Sequence, residues 1–261
     1  MESDKRTSAA VQAAPQEEKQ ANAAAQAAPQ QEKQAAAQAQ AGAQEERRIA
    51  RPKRTLLYTV VVLLYAIVVK ILFFMRIEGR ESIPKERNCV LMGNHQCLLD
   101  PLTLALCVPE REIHFMGKKE LWNNRLLGWV FTRVHGFPVD RGNIDMAAVR
   151  TALGVLKDGN TLGIFPEGTR SRTGHMLPLL GGASLLALRS GCDVVPVYID
   201  GRYKPFHRIV VRVGEPVDME GLRGGRVNKD ACEALTGRIT AEFARLSGGK
   251  SLPAPQESAE G

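Results

Sequence analysis

His95 and Asp100, in the stretch Gly93-Asn94-His95-Gln96-Cys97-Leu98-Leu99-Asp100-Pro101, place an imidazole five positions before a carboxylate. An anionic neighbour fixes the tautomer of a histidine and stabilises the imidazolium formed when the ring takes up a proton. Such a pair suits general-base activation of a hydroxyl. The spacing alone is not diagnostic, because the chain has five histidines and repeats the same interval at His135 and Asp140. That second copy, His135-Gly-Phe-Pro-Val-Asp140, reads as an extended segment, in which side chains five apart point to opposite faces. A strand end and a turn are expected there.

The elements that must position the first pair are a strand and a helix. Cys89-Val-Leu-Met92 reads as a short buried strand, and Pro101-Leu-Thr-Leu-Ala-Leu-Cys107 as a helix with proline at its first position. A chain passing from strand end to helix start can fold His95 back towards Asp100. The competing role for Asp100 is to act as the helix N-cap. Cys97 stands two residues from His95, but separation in sequence does not by itself make a nucleophile pair.

Downstream, β-rich runs at 113–116, 136–139, 161–165, 194–199 and 209–213 alternate with helical patterns at 101–107, 126–134, 146–157, 179–189 and 229–246. The alternation predicts one α/β domain with a mostly buried sheet flanked by helices, in which function sits on loops at strand ends. Phe165-Pro-Glu-Gly-Thr-Arg-Ser171 is one such loop. Gly168 would let backbone N–H groups approach a ligand, Thr169 offers a hydroxyl, and Arg170 a guanidinium fork suited to phosphate. Taken alone, Glu167 and Arg170 would by default be a solvated pair on a turn. Arg141, ending Phe137-Pro-Val-Asp-Arg141, offers a second guanidinium, and Lys118 or Lys119 a further positive group, although surface lysines outnumber functional ones.

The N-terminal third has another character. Residues 1–50 are rich in Ala, Gln, Glu, Lys and Pro without an apolar stripe, and the pattern predicts a disordered tail. Residues 1–46 hold four Lys or Arg against seven Asp or Glu, after which Arg47, Arg48, Arg51, Lys53 and Arg54 follow with no acid among them. Residues 51–76 then read as a basic flank and a membrane-anchoring helix, since Thr55 to Phe74 carries one charge, Lys70, in twenty residues. Charge on the two flanks is nearly balanced, leaving open a full span or a helix seated in one leaflet. Trp122 and Trp129 would add an interfacial surface or belong to the core. Residues 77–247 form the predicted domain and 248–261 a flexible C-terminal tail. Five cysteines at 89, 97, 107, 192 and 232 show no metal-type spacing and suggest reduced thiols.

Four ordered stretches, Asn94-His95-x-x-x-x-Asp100, Gly136-Phe-Pro-Val-Asp-Arg141, Phe165-Pro-Glu-Gly-Thr-Arg170 and Val195-Pro-Val197, resemble the sequence blocks of the glycerolipid acyltransferases. The bacterial 1-acylglycerol-3-phosphate acyltransferase branch is the most similar. The resemblance spans about residues 70–215, including Gly117-Lys-Lys-Glu-Leu121, and implies a glycerol-3-phosphate acyltransferase-like fold. It implies acyl transfer from a thioester of acyl-carrier protein or coenzyme A to the 2-hydroxyl of a lysophosphatidic acid. His95 would be the base and Asp100 its orienting partner. Arg141, Glu167, Gly168 and Arg170 would form the glycerol phosphate pocket, and Val195-Pro-Val197 would contribute to the acyl side. No cofactor, metal or nucleic-acid partner is expected, because a thioester is already activated and the nucleophile belongs to the substrate. Oxyanion donors are not identified; a backbone N–H or Lys118 are the candidates. Cytosolic thioesters would place the domain on the cytoplasmic face of the membrane. Rival readings are an acyltransferase for glycerol 3-phosphate, a lysophospholipid or an amino-acid lipid, and a non-enzymatic module that binds anionic lipid.

Overall fold

β2 (Cys89–Gly93) is buried along its whole length, as befits a strand at the centre of a sheet covered on both faces. It pairs in parallel with β5 (Thr161–Ile164) on one side and β6 (Asp193–Asp200) on the other. Beyond β5 lie β3 (Ile113–Lys118) and β4 (Gly136–Val139), both parallel to it. Beyond β6, β7 (Val210–Val213) runs antiparallel, and β1 (Arg76–Glu78) pairs with β7 in parallel. The order is β1-β7-β6-β2-β5-β3-β4 in a single seven-stranded sheet. This is a computed structural model, and it describes residues 55–140 and 145–249. The N-terminal tail, the basic cluster Arg47 to Arg54, Arg141 and the C-terminal tail from residue 250 lie outside the described residues.

Six α-helices are described: α1 (Leu56–Leu72), α2 (Asp100–Cys107), α3 (Arg125–Arg133), α4 (Met146–Lys157), α5 (Gly181–Ser190) and α6 (Lys229–Ser247). Their ends follow local chemistry. The side chains of Asn124, Asp145 and Asn228 accept N–H groups in the first turns of α3, α4 and α6. Gly191 and Gly248 adopt the left-handed conformation that closes α5 and α6. α1 and α2 share one apolar cluster with β2, β6 and β7, while α4, α5 and α6 supply the cluster that covers the other face.

The membrane-spanning reading of residues 55–74 is corrected here. α1 has 17 residues, a rise of about 26 Å against a hydrocarbon core of about 30 Å. No described helix is long and apolar enough to cross a membrane. Tyr58, Val62, Tyr65 and Val69, at helical spacing, are buried in the protein core. The other side keeps Leu56, Val60, Leu63, Leu64, Ile67, Val68 and Ile71 exposed. The run is apolar all round because its two faces have different surroundings, one of them the core of the domain itself.

Candidate active site

The parallel strands β2, β5, β3 and β4 are consecutive in the sheet, so their C-terminal ends share one edge. His95 follows β2, Phe165 to Ser171 follow β5, Lys118 ends β3, and the segment leading to Arg141 leaves β4. Sheet topology therefore gathers four loops that are far apart in sequence, at the edge where parallel α/β sheets bind ligands.

The His95 ring nitrogen Nδ1 lies 2.9 Å from Asp100 Oδ2. That oxygen also accepts the backbone N–H groups of Gln96, at 2.6 Å, and Cys97, at 2.7 Å. With two backbone N–H groups already directed at that acceptor oxygen, Nδ1 serves as its third donor. Nε2 is then the basic nitrogen. The expected capping role for Asp100 is not what is found: Asp100 is already helical, residue 99 stands at the cap without a side-chain bond, and the carboxylate turns back to the loop before it. A Cys97–His95 pair is also absent among the described hydrogen bonds, since Nδ1 faces Asp100.

The loop around His95 is fixed from several sides. Asn94 uses its amide as a substitute strand partner, accepting Ile199 N–H at 2.7 Å and donating to the Ile199 carbonyl at 3.1 Å. Gln96 donates to the same carbonyl at 3.0 Å. The Phe165 ring stacks on the His95 ring with centroids 4.1 Å apart. Glu167 Oε1 accepts His95 N–H at 2.6 Å, and Ser171 N–H donates to the His95 carbonyl at 2.8 Å. Glu167 Oε2 accepts Leu177 N–H at 2.8 Å. Glu167 is only 4% exposed, and burial pushes its carboxyl up to about 7 despite the two N–H groups that favour the anion. The glutamate thus holds the backbone of the histidine. Asn94 and Phe165 stood inside the quoted stretches, but nothing in their residue types marked them as supports.

Gly168 has φ +68°, and a Cβ there would lie 2.5 Å from Leu180 Cδ1. The left-handed turn lets the loop reverse after Glu167 and leaves Thr169 and Arg170 exposed at the edge. Lys118 is exposed and paired with Glu120 Oε1 at 2.9 Å. A cavity of about 540 Å³ opens at the end of β4, lined in part by Lys119, Phe137, Asp140, Asp145 and Met146. Val195 and Val197 are fully buried in the core cluster shared with α1.

The second His–Asp interval behaves as its sequence suggested. His135 Nε2 approaches Glu112 Oε2 at 2.8 Å, while Asp140 N–H donates to Asp145. The tryptophans part company. Trp122 donates to Thr132 Oγ1 at 3.0 Å and packs over Gly128, whereas Trp129 on α3 is exposed beside Leu126 and Leu127.

Comparison with known proteins adds three findings. A family model described as acyltransferase matches residues 74–200. The chain is 30% identical over 176 residues to a 1-acyl-sn-glycerol-3-phosphate acyltransferase of Streptococcus pneumoniae, covering 65% of this chain and 64% of that protein. It is 34% identical over 127 residues to the protein of the same name in Bacillus subtilis, covering 49% of this chain and 63% of that one. The chain therefore spans a little less than two thirds of the length of these relatives. Its fold resembles the crystal structure of a 1-acyl-sn-glycerophosphate acyltransferase from Thermotoga maritima, with TM-score 0.53 and 24% identity over 77% of this chain and 98% of that one.

Proposed function

We propose, from the match of residues 74–200 to an acyltransferase family model, that the chain moves a fatty acyl group from a thioester to the 2-hydroxyl of 1-acyl-sn-glycerol 3-phosphate. The observation that carries this reading is the buried His95–Asp100 pair at the edge where the four loops converge. His95 Nε2 takes the proton of the acceptor hydroxyl as its oxygen attacks the thioester carbonyl carbon. Collapse of the tetrahedral intermediate breaks the C–S bond, and the imidazolium returns the proton to the leaving thiolate. Asp100 stabilises the imidazolium between the two transfers.

The glycerol phosphate is assigned to the edge that carries Arg170, Thr169 and Gly168, with Arg141 as the second cation and Lys118 as a further one. Glu167 contributes by holding His95 and by shaping the turn at Gly168. The acyl donor is a thioester of acyl-carrier protein or coenzyme A, and no resident cofactor or metal enters the steps above. The outer face of α1, apolar at seven exposed positions from Leu56 to Ile71, supports seating of the protein in one leaflet. A cytosolic thioester requires the catalytic edge to face the cytoplasm.

Product identification after incubation with lysophosphatidic acid and each thioester tests the reading directly. Phosphatidic acid is the expected product, and His95→Ala lowers its rate by about 100-fold to 10,000-fold while the protein stays folded. Wild-type turnover in that variant would exclude the mechanism. Glycerol 3-phosphate or lysophospholipids accepted in place of lysophosphatidic acid would exclude the acceptor assignment.

A further inference from the structure

Asp100 has two carboxylate oxygens, and only one of them is accounted for by the pair with His95. Oδ2 takes three donors, whereas Oδ1, in a fully buried residue, receives no aligned hydrogen bond from any described group. An anionic oxygen without a donor is costly inside a protein, so the group facing it matters. The candidate donor is the Tyr203 hydroxyl: it lies 2.8 Å from the hydroxyl of Thr103, one turn after Asp100 on α2, and the Asp100 charge helps to raise it.

We propose that Tyr203 is a positioning residue for the His95–Asp100 pair, supported by a chain of hydroxyls that starts at Tyr65 on α1. Thr103 is the link. It lies three residues after Asp100 on α2, hence on the same helix face, and is fully buried. Its Oγ1 sits 2.6 Å from the Tyr65 hydroxyl and 2.8 Å from the Tyr203 hydroxyl. Tyr65 comes from the buried face of α1, and Tyr203 from the segment between β6 and β7. The Tyr203 ring also packs edge-on against Phe73, with centroids 5.6 Å apart.

Proton counting fixes the direction of the chain. Three hydroxyls bring three protons, and the two contacts at Thr103 consume two of them. Where the chain runs head to tail through Thr103, the remaining proton leaves from one end. At the Tyr65 end the surroundings are the apolar core cluster; at the Tyr203 end they are a carboxylate. Tyr65 therefore donates to Thr103, Thr103 to Tyr203, and Tyr203 to Asp100. Burial, reinforced by the negative charge of Asp100, raises both phenols above their ordinary range, which keeps each of them a donor. A donor at Oδ1 keeps Oδ2 turned towards His95. The consequence is that the geometry of the base depends on α1, the helix whose outer face is apolar and exposed.

The proposal rests on the acyltransferase reading for its catalytic consequence but can be measured without turnover. In the full chain with 15N-labelled histidine, the His95 Nδ1–H resonance is assigned by its loss in Asp100→Asn. Tyr203→Phe keeps the ring against Phe73 and removes only the hydroxyl, so Asp100 becomes the stronger acceptor for His95. The resonance is expected to move downfield, with a smaller movement in the same direction for Thr103→Val, which cuts the chain one link further away. In the acyl-transfer assay, kcat of Tyr203→Phe falls roughly tenfold while KM for both substrates stays within about twofold. A resonance that stays in place in both variants overturns the proposal, whatever the rate does. A chain without acyl transfer to any acceptor overturns the functional reading instead and leaves the resonance test intact.

Discussion

Glu167 makes the stability of this fold depend on pH in a direction opposite to most carboxylates. Its side chain is buried and its carboxyl is carried from 4.5 to about 7, chiefly by burial. Between those values the folded chain holds a proton that the unfolded chain has released. Unfolding then releases the proton, so stability falls as pH rises from about 4.5 to 7 and the contribution is lost above that. At ~1.4 kcal/mol per pH unit, the interval is worth about 3 kcal/mol. Glu167→Gln cannot ionise and abolishes this component. Gln has one acceptor for the two N–H groups of His95 and Leu177, so the variant loses a buried hydrogen bond worth about 1–3 kcal/mol at every pH. The two stability curves should therefore converge: the variant is clearly weaker at pH 5 and close to the wild type, or above it, at pH 8. Denaturant unfolding followed by circular dichroism at both pH values measures the double difference, in which every other titrating group cancels. A gap between the two proteins that is the same at pH 5 and pH 8 would refute the argument that burial, rather than the two N–H groups, controls this carboxyl.

Three further outcomes follow from other sites. Burial of His114, aided by His135, lowers its imidazole from 6.5 to about 4, so the unfolded chain binds the extra proton in that window and stability rises with pH through it. His114→Gln should remove about 1–2 kcal/mol of that rise, after solvent screening of a half-buried ring, as read by unfolding at pH 4.5 and 6.5. Gly168→Ala forces a side chain into the left-handed region, and Leu180 can swing away from the added methyl because it is exposed; the remaining backbone strain of about 1–2 kcal/mol should lower Tm by roughly 2–8 °C. An unchanged Tm would show that the turn does not need glycine. Leu63→Asp together with Ile71→Asp, at positions 58% and 61% exposed, should leave the fold intact and weaken sedimentation with phospholipid vesicles by at least about tenfold. Undiminished vesicle binding would remove α1 as the membrane contact.

Where the sequence was informative, residue type and position carried the same message. The run at Met146 to Lys157 became α4 at those residues, and Gly136 to Val139 became β4. β1 was not foreseen, because Arg-Ile-Glu has no apolar run and is a strand only through its pairing with β7. The site was legible in part for the same reason. His95 and Asp100 stand out by residue type, but Asn94, Phe165 and Tyr203 are marked only by what they touch in the fold. Ile199 is 105 residues from Asn94, and Tyr203 is 100 residues from Thr103. Contacts at such separations follow from strand order, which local patterns do not contain.

α1 shows why an apolar run is ambiguous. The charge count of residues 55–74 was right, yet length and packing rule out a span. The ambiguity lies in the solvent, since hydropathy cannot distinguish a core-facing side chain from a lipid-facing one. The tyrosines carried the missing information: Tyr58 and Tyr65 stand seven apart on one face, and both hydroxyls bond inside the protein, to Ile113 N–H and to Thr103. A lipid-facing stripe would have had to leave those hydroxyls without partners deep in hydrocarbon, or keep them at its ends. Two buried phenols mark the protein side of the helix, and the seven exposed aliphatic residues form its outer side. The same division places Tyr65 against Thr103 of α2, three residues after Asp100, so the inner face that makes α1 part of the fold also packs beside the His95–Asp100 pair.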